Sequence, residues 1–574
     1  METQTTTSFD ECPVHDVGVE SCPIYQALDD EFKEYAERNP HLLVYLHEWH
    51  KKTGSLPRMK VELSREDGYS DTYSILYPVG DPIFIHVYKT PGDVRGTYHP
   101  VEPSIPEEEV SLLEQVEKLV AMRVDETLTF ESEEERAQVL EKLFDSVVEK
   151  SSETRLLKDK VAVSEDLYYA LKYEFMKDKV YLGPLEPMIR DPYIEDISCS
   201  GIGPIFVEHK VFKSLASTVV FQTYEELDAF VLKLCERIGR PVSPKRPIVD
   251  ATLPDGSRLN VVYGRDVSRR GSNFTIRKFS KVPLSVTQLI KFGTFDERIA
   301  AYLWMALLEG MSVFVCGETA SGKTTTMNAI SVFIRPTAKV ISIEDTAEVV
   351  LPHPNWVSEV TRKSEEEKAS ITLFDLLKAA LRQRPNYIIV GEIRDREGNV
   401  AFQAMQTGHP VIATFHAASI DRLIQRLTGD PINVPLPYID NLNIVVFQSA
   451  VMNPVTRRRD RRVTSVTEII GYDPSSKSCS YIDLFYWEPS KDRHVFRGVG
   501  NSYLLEEKVA PRRGLEEREF VKIYEELEVR TQIIRRLVEN KVYNYYDVWK
   551  VVSSIYNMPP EDALRVVDRI CRSL

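Results

Sequence analysis

Residues 317–324 read Gly-Glu-Thr-Ala-Ser-Gly-Lys-Thr, and nothing else in this 574-residue chain restricts its fold so tightly. They fit G-x-x-x-x-G-K-[ST] at every fixed position. An apolar run, Ser312–Cys316, stands before them, and a plausible helix, Thr325–Ile334, follows. In a strand–loop–helix unit of this kind, successive backbone N–H groups turn inward on an anion. The positive end of the helix lies beneath it. Lys323 can then reach the β- and γ-phosphates of a nucleoside triphosphate, and the Thr324 hydroxyl suits Mg²⁺. The expected cradle comprises Gly317, Glu318, Thr319, Ala320, Ser321, Gly322, Lys323, Thr324 and Thr325, with ATP and Mg²⁺ as its ligands.

Around this loop, from about 284 to 490, strand-like and helix-like stretches alternate, which predicts an α/β domain with a parallel sheet. Three further apolar runs end in polar residues. Lys339–Ile343 leads to Glu344, Tyr387–Val390 to Gly391-Glu392, and Val411–Ala413 to Thr414-Phe-His416. The carboxyl ends of parallel strands line the ligand crevice of an open α/β sheet, so these groups should converge on the phosphate loop. Glu392 then takes the position of an acid that holds Mg²⁺ or polarises water. Glu344 is a second candidate for general base. His416 and His409 could sense the γ-phosphate.

The flanks divide the chain into four expected regions: 1–155, an accessory segment; 156–283, a smaller α/β domain; 284–490, the nucleotide-binding domain; and 491–574, mostly helical. Ser104-Ile-Pro-Glu107, Thr223-Tyr-Glu-Glu226 and Thr294-Phe-Asp-Glu297 each read as a helix-opening capping box. Arginines 240, 246, 258, 265, 269, 270 and 277 gather in the second region. Arg457-Arg-Arg-Asp-Arg-Arg462 is the sharpest charge run, and reads as a solvated hairpin.

A net charge of −15 argues against a protein that coats nucleic acid or an anionic bilayer. Seven scattered cysteines, none three residues from another, point to reduced thiols rather than a zinc or disulfide framework. The polar, acidic start lacks a signal-like apolar core, and no apolar run reaches ~18 residues. The expectation is a cytoplasmic protein, peripheral to the membrane.

The motifs together resemble the type II/type IV secretion ATPases. Ile343-Glu-Asp-Thr-Ala-Glu348 is similar to that family's Asp box. Leu381-Arg-Gln-Arg-Pro-Asn-Tyr-Ile-Ile-Val-Gly-Glu-Ile-Arg-Asp395 is similar to its Walker B, and Thr407-Gly-His-Pro-Val-Ile-Ala-Thr-Phe-His-Ala417 to its His box. The likeness extends upstream through Leu253–Arg258 and Thr275–Phe279, covering roughly 170–475. It implies a RecA-like P-loop domain preceded by a smaller PAS-like α/β domain. It also implies Mg-ATP hydrolysis by Glu344 and Glu392, nucleotide sensing by His409 and His416, and closure of Arg258 and Arg277 over the γ-phosphate. A homohexameric motor is implied, working on a membrane-embedded platform protein in secretion or in assembly of a pilus or archaellum. Where bacterial type II members often carry a tetracysteine module after the His box, this chain has only Cys479 there, so that module is absent. The long N-terminal region and helical tail look more like archaeal members. A nucleic-acid translocating ATPase on the same core is the alternative, and the acidic charge disfavours it.

Overall fold

The structure is a computed structural model that describes residues 22–124, 133–279, 282–362, 370–454, 457 and 459–573. It separates into two compact units, Met1–Phe279 and Ser280–Leu574.

The first unit is built on a ten-stranded sheet. Strands Tyr73–Pro78, Phe84–Lys89 and Gly96–Val101 form a meander at one side. Gly96–Val101 pairs with Lys213–Phe221, so stretches on both sides of residue 155 share one sheet. Beyond it lie Gly203–His209, Ile194–Cys199, Asn273–Arg277, Arg258–Val262 and Ile248–Thr252. Thr223 caps the helix Tyr224–Arg237 as expected, accepting a hydrogen bond from the Glu226 amide. Ser104 caps nothing. Pro106 holds extended backbone (φ −54°, ψ 142°), so helical structure begins only after it, at Glu107.

In the second unit we number the helices and strands as follows: α1 (Val286–Lys291), α2 (Glu297–Leu308), β1 (Val313–Cys316), α3 (Lys323–Ser331), β2 (Val340–Glu344), β3 (Trp356–Val360), α4 (Leu373–Ala380), β4 (Tyr387–Ile393), α5 (Glu397–Gln406), β5 (Val411–Phe415), α6 (Ile420–Thr428), β6 (Ile444–Met452), β7 (Arg459–Asp473), β8 (Ser478–Glu488) and β9 (Arg493–Phe496). The sheet order is β3-β2-β4-β5-β1-β6-β7-β8-β9. Strands β3 to β6 in that order run parallel, and the last three continue antiparallel. This is a RecA-like α/β domain: the strand bearing the phosphate loop lies between β5 and β6, with β4 one strand further out.

Both faces of the sheet are covered, which is why its strands read as unbroken apolar runs. Val313 and Val315 point into one core, Phe314 and Cys316 into the other. The first core receives α2 and α3 together with the C-terminal helices Val521–Glu539, Tyr545–Ser554 and Pro560–Cys571. The second receives α4, α5 and α6. Helix α2 opens at Asp296, whose carboxylate accepts from the Ile299 amide. Thr294 is not its cap. The Thr294 backbone is already committed, its N–H to Leu289 and its carbonyl to the Val463 amide.

The basic run at 457–462 is not merely a solvated hairpin. Arg462 is buried, and its Nε and Nη2 grip both Asp492 oxygens at 2.7 Å. Arg462→Ala would leave the half-buried Asp492 carboxylate only its Trp487 and Asn453 donors, and should cost the second unit about 1.5–3 kcal/mol of stability, the range for hydrogen bonds to a charged group. A thermal melt unchanged by the substitution would refute this. The six cysteines among the described residues form no disulfide with one another, and Cys12 lies outside them.

Candidate active site

The phosphate loop leaves β1 at Gly317 and enters α3 at Lys323, with Gly322 as N-cap at φ 92°. Two glycines are sterically required. A Cβ on Gly317 would stand 2.1 Å from the Gln448 carbonyl oxygen, and one on Gly322 2.9 Å from Gln448 Nε2. Ala320 adopts the left-handed conformation at φ 60°. Glu318, Thr319 and Ala320 are exposed at the loop's apex, while Ser321 and Lys323 are buried. Thr324 and Thr325 occupy the first turn of α3, half-buried.

Lys323 Nζ donates to the Glu318 carbonyl at 2.8 Å and lies 3.5 Å from His416 Nδ1. The other nitrogen of that ring, Nε2, lies 2.8 Å from Glu392 Oε1. Burial, and then the Lys323 charge, hold His416 below the ordinary histidine value, so the ring is neutral near pH 7. The tautomer that suits both neighbours carries its proton on Nε2. Loop, histidine and strand-end acid are therefore joined by direct contacts.

Glu392 comes to this position through an irregularity in the sheet. Val390 pairs with Ala413 and Ile393 with Phe415, so β4 spends an extra residue there. Such a bulge re-aims a side chain. The Thr414 hydroxyl donates to the Gly391 carbonyl at 2.5 Å within it. Arg394 donates to Glu392 Oε2 at 2.5 Å. Burial pushes the Glu392 carboxyl up, but the Arg394 hydrogen bond, with the Arg394 and Lys323 charges, outweighs it and holds the group below its ordinary value.

Glu344 is set up differently. It is 2 % exposed. Its Oε1 accepts from the Glu348 and Val349 amides at 2.9 Å each. Its Oε2 is buried with no hydrogen-bond partner among the described residues. Gly391 is what admits it, since a Cβ there would stand 3.0 Å from Glu344 Cγ. Burial pushes the carboxyl up to about 7, against the lowering by the two amides. The two strand-end acids are thus driven apart, one ionised and one poised near neutrality. Such a split marks distinct roles.

Of the residues expected at the site, the structure brings together the phosphate loop, Glu344, Glu392 and His416. It does not bring in His409. That residue precedes β5, at the amino end of a strand whose carboxyl end carries His416, on the order of 20 Å away at ~3.3 Å per residue. Its Nδ1 lies 3.2 Å from the Thr407 hydroxyl. Arg258 and Arg277 belong to the first unit, on neighbouring strands, directly opposite each other in register and exposed. Arg258 is paired with Asp250 at 3.0 Å. Like charges on facing strand positions repel.

The residues present suit Mg²⁺ delivered with a phosphate rather than a resident metal centre. No group of three or more His, Cys, Asp or Glu able to hold a metal occurs among the described residues. A hydroxyl at Thr324 and a carboxylate at Glu392 are the donors Mg²⁺ uses alongside substrate phosphates. Two residues at the loop were not foreseen from the sequence: Gln448 on β6, which donates to the Ser321 carbonyl at 2.8 Å, and Arg461 on β7, which donates to the Ala320 carbonyl at 3.1 Å. Only the basic run offered a signal for the second.

A family model described as "Type II/IV secretion system protein" matches residues 178–452. The uncharacterized protein MJ0900 of Methanocaldococcus jannaschii is 47% identical over 540 residues, covering 92% of this chain and 97% of that protein. The type IV secretion system protein PtlH of Bordetella pertussis is 31% identical over 233 residues, or 36% of this chain and 68% of PtlH. Among solved structures, the VirB11 ATPase of the Brucella suis type IV secretion system, in complex with sulphate, is 26% identical. It covers 51% of this chain and 94% of that one, with a TM-score of 0.26. No helix among the described residues is long and apolar enough to cross a membrane.

Proposed function

Because this chain belongs to the type II/IV secretion system protein family and is an ATPase, we propose that it is a ring-forming motor that hydrolyses Mg-ATP to drive a secretion or filament-assembly machine. One observation carries the chemistry: Lys323, His416 and Glu392 touch in series beside a buried Glu344, all at the carboxyl ends of parallel strands. The triphosphate lies along the amides of residues 317–324, with Lys323 transferred from the Glu318 carbonyl to the phosphates. Thr324 and Glu392 would hold Mg²⁺, which when bound would neutralise developing charge on the phosphates.

Glu344 orients the attacking water and takes its proton, the role its near-neutral carboxyl suits. When Lys323 turns to the phosphates, its contact with His416 is exchanged for one to substrate. His416, with Nε2 2.8 Å from Glu392 Oε1, reports that exchange to the acid. Arg258 and Arg277, both exposed, supply cationic charge to the γ-phosphate, Arg258 by exchanging its pairing with Asp250. The regions 284–490 and 156–283 act as catalytic and arginine-bearing partners, with 1–155 and 491–574 as accessory segments. Subunits assemble as a hexamer on a membrane-embedded platform protein, at the cytoplasmic face.

Electron microscopy with a non-hydrolysable ATP analogue tests this. Closed rings of six subunits are expected, and a monomer under every nucleotide condition would overturn the ring.

A further inference from the structure

The arginine run at 457–462 has a use beyond the Arg462 pin. Arg461 lies on β7 opposite Ala450 of β6. Its neighbour Arg462 is buried and fixed by Asp492, and Asp492 also receives Trp487 Nε1 at 3.0 Å and Asn453 Nδ2 at 2.9 Å. The strand that carries Arg461 is therefore held at this point. From it the Arg461 side chain extends over the phosphate loop. Its Cδ passes 3.2 Å from where a Cβ on Gly322 would stand, and its Nε donates to the Ala320 carbonyl.

That carbonyl belongs to a residue at φ 60°, which a side-chain-bearing L-residue disfavours. An anion nest needs the amides of the loop turned inward, and its carbonyls must find partners elsewhere. Here they do. Lys323 takes the Glu318 carbonyl, Arg461 that of Ala320, and Gln448 that of Ser321. Gln448 is itself buried, and its Oε1 accepts from the Thr326 hydroxyl at 2.7 Å. Lys323 must leave for the phosphates, whereas Arg461 and Gln448 come from outside the loop.

We propose that Arg461 is a positioning residue of the phosphate loop, which holds the Ala320 peptide in the orientation that grips nucleotide phosphates. The proposal rests on the loop's binding Mg-ATP as described above. Without Arg461 the loop samples other peptide orientations. Apparent affinity then falls by the fraction of molecules still competent. The phosphates concerned are those common to ATP and ADP, so both nucleotides should weaken together.

The test uses the full-length protein with Arg461→Ala and Arg461→Lys, measuring binding of Mg-ADP and of a non-hydrolysable Mg-ATP analogue by calorimetry, with kcat and KM alongside. Arg461→Ala should raise both dissociation constants by ~2- to 12-fold, the span of one ordinary hydrogen bond made by an exposed donor. KM should rise with them and kcat at saturation stay within about twofold. Arg461→Lys should fall between, because it keeps the charge but not the guanidinium geometry. Arg461 is exposed, so the nucleotide-free melting temperature should not move. Unchanged affinity for both nucleotides would overturn the proposal, as would a fall in kcat with binding intact. A wild-type protein that binds nucleotide without hydrolysing it would refute the motor reading alone, and the binding comparison would still decide this one.

Discussion

Lys323→Ala is expected to reduce ATP turnover by ~10²- to 10³-fold or more, the loss typical of removing one preorganised charge from a transition state. Lys323 is buried, yet among the described residues its short bond is to a carbonyl of its own loop, so it is built to move to a ligand rather than to brace the fold. Burial holds its ammonium below the ordinary lysine value, while the Glu392 charge opposes that shift. An ammonium so placed gains when phosphate oxygens arrive. Phosphate release by the purified variant, with circular dichroism to show the fold intact, makes the comparison. More than about a tenth of the wild-type rate would count against Lys323 as the phosphate-binding lysine.

Glu344→Gln should be nearly as damaging, at ~10²- to 10⁴-fold in kcat, the range for loss of a positioned acid–base group. The pH profile gives it a sharper signature. A base must be ionised to accept a proton, and burial places the Glu344 carboxyl at about 7. Wild-type kcat should therefore rise with pH through neutrality, dropping about tenfold per unit on the acid side, and level off above. The residual rate of Glu344→Gln should lack that limb. If the variant keeps the wild-type acid limb, the titrating group is another one.

Much of this site was legible because its parts are local. The glycine loop between an apolar strand and a helix, and acids placed directly after apolar runs, are patterns within a few residues. Strand polarity then brings them together. The same rule separates the histidines: His416 follows its strand, whereas His409 precedes it and goes to the other end. What escaped was tertiary. Gln448 and Arg461 reach the loop from strands more than a hundred residues downstream, and no spacing rule connects them to it. Arg462 read as surface charge because its partner, Asp492, is brought near only by the β7–β8–β9 meander. The unequal environments of Glu344 and Glu392 could not be read from two similar strand ends. One depends on the space left by Gly391, the other on Arg394 and the bulge.

The helix starts at 107 and 297 show the limit of capping signatures. A serine or threonine at the right spacing competes with proline geometry and with nearer aspartates. At both places the nearer residue won.

A structure of the protein with Mg²⁺ and a non-hydrolysable ATP analogue bears most directly on how the site works. The account predicts phosphates along the backbone amides of residues 317–324, with Lys323 Nζ moved from the Glu318 carbonyl to the phosphate oxygens. The Glu344 carboxylate should lie one water molecule from the γ-phosphorus. Nucleotide bound elsewhere, with the loop empty and Glu344 turned away from the terminal phosphate, would contradict it.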